Sequence, residues 1–439
     1  MEHGLDTGLM VAIAATVALW GLLARRIERL DVSAPMVFVV VGFVLANEPV
    51  ALIDVDVHSE TLRSLAEITL ALLLFSDAAR VNVRELRRDA GIPVRLLLVG
   101  LPLTIVVGTA IAMLLFPGLD PWAAAAIAAA VAPTDAALGA QVVEDEHVPS
   151  RIRRILNVES GLNDGIATPF VTFFIAGAAA ETVSHSSMGP GAALADLAIG
   201  VIAGIALGLG GGLALGFARR HGWASPAYHA ITVLALAALA YAVSIELGGN
   251  GFIGAFVGGM AFGTVVPPKR REATLAFDAQ AGELLSFVVW FLFGAVMVAA
   301  LQEATWQTVA FALLALTVAR MLPVAAALGG THLSGATVAF VGWFGPRGLA
   351  SIVFGLIAGD ALGGSDAEVV LAAVTLTVLV SVVAHGVTAR PLARRYGEHV
   401  RTRAEAGPEH AAVPVLDGRH TSRSPAPPSD PAAGAGPAA

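Results

Sequence analysis

The chain is 439 residues long, 56% hydrophobic and 14% charged, with a formal net charge of −8 and no cysteine. More than half apolar is beyond what a soluble domain carries, and the missing cysteines exclude disulfides, thiolate chemistry and any cysteine-held metal. Apolar runs of roughly 18 residues or more recur along its length, each long enough to cross a bilayer as a helix, so the chain reads as an all-α polytopic membrane protein.

At roughly 20 residues per crossing, about thirteen spans follow. Their approximate positions are 8–25, 34–52, 62–79, 93–116, 121–143, 152–178, 191–217, 226–246, 249–266, 283–301, 305–328, 333–358 and 367–389. The opening residues MEHGLDTG carry acids where a cleaved signal peptide needs bases, and the basic RRIER follows the first apolar run. That order predicts an uncleaved first span with its N-terminus outside.

The loops then alternate. After the odd spans as far as the ninth come Arg25, Arg26 and Arg29; Arg84, Arg87 and Arg88; Arg151, Arg153 and Arg154; Arg219 and Arg220; and Lys269, Arg270 and Arg271. After the even spans come Asp54, Asp56, Glu60, Asp120, Glu181, Glu246, Glu303, Asp360, Asp366 and Glu368, with Arg63 the one base that breaks the pattern. Basic loops stay in the cytoplasm, which predicts a multi-pass protein of the cell membrane with its C-terminus inside. Residues 1–395 form the transmembrane domain on this reading. The Pro-, Ala- and Ser-rich stretch 396–439 lacks apolar periodicity and is expected to be a disordered cytoplasmic tail.

Ionisable and helix-breaking residues at bilayer depth each need a reason. Span five holds Pro133, Thr134 and Asp135 at its middle; the proline removes a backbone donor and clashes with the preceding turn, so the helix should unwind there. A bare proline kink would leave Asp135 unexplained. Span six, in ILNVESGLNDGIATPF, sets Glu159 four residues before Asn163 and Ser160 four before Asp164. Each pair is one turn apart, and together they make one polar face of oxygen ligands, the donor type that hard cations such as Na⁺ take. A headgroup-level cluster after Arg154 is the bland alternative; it has force for Asn157 and little for Asp164, about two turns deeper.

Span eleven carries a lone Arg320, and span twelve a second interruption at Gly345, Pro346, Arg347 and Gly348. Glu159 is a candidate partner for Arg347 or Arg320; if it is neutralised so, it is structural and Asp164 is left as the titrating group. Thirteen spans divide as six, one linker and six, which places the broken spans five and twelve at matching positions in two inverted six-helix repeats. Paired broken spans are the best sequence pointer to a transporter's midplane site.

Other features take plainer readings. Asp77 with Arg80, in LLLFSDAARVN, fits a span end or a site neighbour equally. Glu283 reads as a helix N-terminal acid and His385 as a packed polar residue. GLGGGLALG at 208–216 reads as a helix-packing surface. There is no Walker motif, no metal-type histidine spacing and no nucleophile elbow, so an ATP-driven pump or a hydrolase lacks its machinery, and no cofactor is expected.

At these residues the chain resembles the bacterial Na⁺/H⁺ antiporters of the NhaP type, within the monovalent cation:proton antiporter superfamily. ESGLNDG at 159–165 is similar to the family's Glu-Ser-x-x-Asn-Asp signature, APTDA at 132–136 to its unwound Thr-Asp crossing, and GPRGLAS at 345–351 to its Gly-x-Arg-Gly segment. WFLFGAV and ARMLPVA are weaker echoes.

The resemblance implies an NhaA-like fold in a homodimer. Its ion-carrying helices would lie at about 62–178 and 283–358, moving against a dimerisation scaffold made of the rest. It implies Asp164 as the carboxylate shared by cation and proton, Asn163 as its neutral neighbour, and Ser160 with the Thr134 carbonyl as ligands, beside Asp135. It implies an ion pair of Glu159 with an arginine, Arg347 first and Arg320 second. An Asn-Asp pair goes with electroneutral 1:1 exchange. The family's span-three glutamate is replaced here by Ser76 and Asp77, the candidates for a further ligand.

The function this implies is exchange of a monovalent cation, Na⁺ first and K⁺ or Li⁺ as alternatives, for H⁺ by alternating access. Burial disfavours a bare carboxylate, so Asp164 would cross loaded with one or the other. An organic-anion symporter on the same scaffold would want more intramembrane cations than Arg320 and Arg347; a channel would want a repeated filter segment, which does not occur.

Overall fold

The structure, a computed structural model, describes residues 7–53, 55, 60–81, 91–182, 190–401 and 409. Among them all regular structure is helical. We number the helices α1 (Thr7–Glu28), α2 (Ala34–Ala46), α3 (Glu60–Arg80), α4 (Gly91–Leu115), α5 (Pro121–Ala130), α6 (Ala136–Val143), α7 (Ser150–Thr182), α8 (Pro190–Arg220), α9 (Pro226–Glu246), α10 (Gly251–Val265), α11 (Pro268–Ala300), α12 (Trp306–Ala327), α13 (Gly335–Trp343), α14 (Leu349–Leu362) and α15 (Gly364–Arg401). Eight are long and apolar enough to cross a membrane by themselves, and α2, α5, α10 and α14 are shorter apolar pieces.

Local chemistry sets the ends. Asp120 caps α5, accepting from Ala123 N at 2.9 Å, with Pro121 at its first position. Ser334 caps α13 in the same way, accepting from Thr337 N. Asn250 caps α10 through Ile253 N. The two short-helix pairs, α5/α6 and α13/α14, are single apolar segments interrupted at the prolines that the sequence places there.

In lipid, helix association rests on close packing rather than on expelling water, and small residues let backbones approach. A Cβ at Gly204 or Gly208 of α8 would overlap the carbonyls of Gly254 and Gly258 of α10, which explains the glycine run as a packing face. Gly42 of α2 and Gly294 of α11 are set against each other's helix backbone in the same way.

Packing sorts the helices into two bundles, one of α1–α3 with α8–α11, the other of α4–α7 with α12–α15. They meet mainly where α7 touches α3, α8 and α10, and where α14 touches α3. This redraws the division expected from sequence. The helices over 62–79 and 283–301 pack with the first bundle, and that over 367–389 with the second. The reason lies in matching faces: Gly259 and Gly263 of α10 receive the backbone of α3 at Phe75 and Ala79.

The transmembrane helix also runs past 395. Residues 396–401 continue α15, and Tyr396 stacks on Phe340 with ring centroids 4.1 Å apart. Glu409 is buried and accepts hydrogen bonds from Ser334 N (2.9 Å) and Thr337 Oγ1 (3.1 Å) at the start of α13. The rest of the tail, Asp54, Asp56, Arg84, Arg87 and Arg88 lie outside the described residues.

Candidate functional site

The two interruptions cross. α5 ends at Ala130 and α6 begins after Asp135; α13 ends at Trp343 and α14 begins after Gly348. Asp135 N donates to Pro346 O at 2.7 Å, tying one break to the other. Four half-helix ends therefore converge, and each exposes unpaired backbone groups and a partial charge.

Two charged side chains answer those ends. Asp135 Oδ1 accepts from Ala137 N (2.7 Å) and Leu138 N (3.1 Å), the first turn of α6, and Oδ2 accepts from Leu349 N (3.1 Å), the first residue of α14. One carboxylate thus serves two positive helix N-termini. Arg347, with no surface exposed, donates to Ala132 O and Pro133 O, the carbonyls freed where α5 stops. Its own N–H goes to Ser381 Oγ at 2.6 Å, and His385 braces the same place through Ser381 and Trp343 O (2.9 Å).

Gly345 and Gly348 are required by contact. A Cβ at Gly345 would stand 2.6 Å from Arg320 Nε, and one at Gly348 would overlap the Asp135 carboxylate.

The polar face of α7 lies against this crossing. Ser160 Oγ and Thr134 Oγ1 are 3.0 Å apart, and Asn163 Nδ2 donates to Thr134 Oγ1 at 2.5 Å. Asp164, next on the helix, has Oδ1 enclosed and without a hydrogen-bond partner, and Asn163 Oδ1 is in the same condition. The charge of Asp135 is near enough to act on Asp164. A Cβ at Gly165 would overlap the Phe256 ring of α10, so the residue after Asp164 is where α7 meets the other bundle. The arrangement can do one thing well. It gathers a carboxylate, an amide oxygen and two hydroxyls around a point at bilayer depth and leaves the carboxylate uncommitted.

Glu159 behaves differently. It pairs with Arg320 (Nη1 to Oε1, 2.6 Å), both 3% exposed. This corrects the expected preference for Arg347. Helical spacing tells which residues share a face of α7 but not which neighbour that face meets. α12 bends at Thr317, which has φ −109° and ψ −83°, just before Arg320. Arg347 is held by the crossing carbonyls instead, with Arg320 and Glu159 near enough to act on it.

The structure therefore brings together Thr134, Asp135, Ser160, Asn163, Asp164, Pro133, Gly345, Pro346, Arg347 and Gly348. Asp135, expected among the ion ligands, has both oxygens engaged by backbone donors. Ser76 is fully buried on α3 and faces Asp278 of α11 rather than the α7 cluster. Asp77 follows it, half-buried.

Sequence reasoning missed Asp278, which is 1% exposed, because the tenth span was begun at 283 whereas α11 starts at Pro268. It also missed Ser381, whose signal was its place one turn before His385 on one face of the helix. Among the described residues, no group of three or more His, Cys, Asp or Glu could hold a multivalent metal.

The sequence profile of the family described as "Sodium/hydrogen exchanger, transmembrane" matches residues 11–395. The K(+)/H(+) antiporter NhaP of Alkalimonas amylolytica is 25% identical over 392 residues, covering 88% of this chain and 66% of that protein. The sodium, potassium, lithium and rubidium/H(+) antiporter of Bacillus subtilis (strain 168) is 27% identical over 275 residues, covering 62% of this chain and 39% of that protein. The chain thus spans less than two thirds of the length of these curated relatives. Among solved structures, the sodium proton antiporter MjNhaP1 from Methanocaldococcus jannaschii at pH 8 superposes with a TM-score of 0.70 at 19% identity, over 86% of this chain and 99% of that one. That likeness shows a shared fold.

Proposed function

The chain belongs to the sodium/hydrogen exchanger family, and from that premise we propose that it exchanges a monovalent cation for a proton across the membrane, with Asp164 as the group for which the two compete. The observation that carries this reading is the uncommitted Asp164 oxygen beside Ser160, Thr134 and Asn163, at a crossing where Glu159 is paired with Arg320 and Asp135 is held by backbone donors. A bare carboxylate at that depth is costly. Loaded with a proton or a cation the site is near neutral, and the bundle that carries it can move; empty, it should not move. That rule makes an exchanger rather than a leak.

Asp135 and Arg347 hold the crossing and take no part in the exchange itself. Glu159 with Arg320 keeps the bundle's interior neutral. The moving body is the bundle of α4–α7 and α12–α15, and the other forms the scaffold through which two copies associate. Counting α5 with α6 and α13 with α14 as single crossings gives thirteen spans in two inverted repeats, the N-terminus outside and the tail in the cytoplasm. Asn163 beside a single Asp164 supports electroneutral 1:1 exchange. Na⁺ is the first candidate ion; K⁺ is the second, supported by the K(+)/H(+) relative.

The test uses proteoliposomes holding a fixed pH gradient, with internal pH followed by a dye. Na⁺ and then K⁺ are added to wild type and to Asp164→Asn, with and without a valinomycin clamp. Cation-driven loss of the gradient in wild type only, insensitive to the clamp, is the expected result. A fully active Asp164→Asn, or no response to any monovalent cation, overturns the reading.

A further inference from the structure

A narrow cleft opens beside the crossing. Its walls are α6 at Gly139 and Val143, α7 at Asn157 and Ser160, and the α13–α14 break at Phe344 and Pro346. α6 runs from the crossing to Val143, and α7 begins at Ser150 and carries Arg151, Arg153 and Arg154 in its first turns. The cleft therefore lies in the half of the protein that ends in this basic loop. At its floor is Ser160, already joined to Thr134 and through it to Asn163.

Only Asn157 and Ser160 bring polar side chains to this lining. Asn157 is half-buried and makes no side-chain hydrogen bond among the described residues. It stands three residues before Ser160, about 4.5 Å away along the helix axis. It lines an otherwise apolar cleft one helical turn from Ser160, the residue that meets Thr134 at the crossing. With no protein partner, its amide oxygen is open to water or to an ion that enters the cleft.

We propose that Asn157 is an outer ligand of the transport path: a monovalent cation entering from the basic-loop side exchanges part of its water for Asn157 Oδ1 before it reaches Ser160, Thr134 and Asp164. The proposal rests on the exchange reading above and adds a residue that sets affinity on one side only. A neutral oxygen suits the task. It replaces water without holding the ion so tightly that transfer to the carboxylate stops, and it does not compete for the proton.

The test compares wild type, Asn157→Ala and Asn157→Asp in everted membrane vesicles, where added cation meets the basic-loop side, and in right-side-out vesicles. In everted vesicles Asn157→Ala should raise the apparent KM for Na⁺ about tenfold, the effect of losing one good polar contact, with kcat within about twofold. Asn157→Asp, which keeps an oxygen, should stay at or below the wild-type KM. In right-side-out vesicles all three should agree. Wild-type KM in Asn157→Ala, or an equal rise on both sides, overturns the proposal while leaving exchange intact. Absence of exchange in wild type overturns the function reading and this proposal together.

Discussion

Glu159 and Asp164 stand five residues apart on one helix, and their surroundings are opposite. Glu159 is locked to Arg320 at 2.6 Å with both side chains buried. Asp164 has an enclosed oxygen that bonds to nothing, although hydroxyl and amide groups lie around it. The contrast separates two uses of a buried acid. One is complete as it stands and contributes structure. The other is complete only when a proton or a cation arrives.

That comparison is open to attack at several points. The largest expected effect is at Asp164. Asp164→Asn should reduce exchange at least about 100-fold, since it removes the charge that both ions neutralise, while the purified protein keeps its thermal unfolding temperature. Next is Glu159→Gln, which leaves Arg320 buried without its counter-charge. It should lower stability by about 3–5 kcal/mol, read as a drop in melting temperature and in membrane yield. The double variant Glu159→Leu/Arg320→Met should recover most of that loss, because an apolar pair of similar volume tolerates the same place. No second-site apolar change should rescue Asp164→Asn. If it did, the two acids would not differ in kind.

A smaller effect is expected where a charge serves the backbone. Asp135→Asn removes the negative charge from three backbone donors and leaves at least one poorly matched. We expect a loss of about 1.5–3 kcal/mol in stability, measured by thermal unfolding, with slower exchange and a smaller change in apparent affinity for the cation, since the charge of Asp135 also reaches Asp164. An affinity change larger than the rate change would make Asp135 a ligand after all.

The smallest effect is at the end of α6, on the basic-loop side. Glu144, exposed at the end of α6, is pushed up to about 7 by partial shielding from water and then by Glu28. It is therefore neutral below about pH 7 and charged above it, so its pull on an incoming cation grows as pH rises through that value. Glu144→Gln should flatten the pH dependence of cation uptake from that side between about pH 6 and 8, by no more than about threefold, because an exposed charge is screened.

How far the sequence carried this picture differs from residue to residue. The face of Glu159, Ser160, Asn163 and Asp164 was legible because helical spacing alone puts them together. The two breaks were legible because proline and glycine punctuate apolar runs. What spacing cannot give is the neighbour. Choosing between Arg320 and Arg347 needed the path of α12 past Thr317, and the use of Arg347 on freed carbonyls needed the crossing itself. The assignment of α3, α11 and α15 to their bundles was hidden for a related reason. Uniformly apolar helices advertise burial in lipid or protein alike, and the glycines that decide which faces meet look the same on either side. Asp278 escaped because a polar turn at the start of a long helix reads as loop.

The most direct test of the central claim is a titration of competition. Initial rates of Na⁺-driven proton movement would be measured in proteoliposomes across a series of Na⁺ concentrations at several pH values. One proton and one cation sharing Asp164 predict an apparent KM that rises about tenfold for each pH unit of acidification in the range where the site is mostly protonated, with an unchanged maximal rate. A maximal rate that falls with acid while KM stays constant would mean that proton and cation bind at separate places, and would contradict the account.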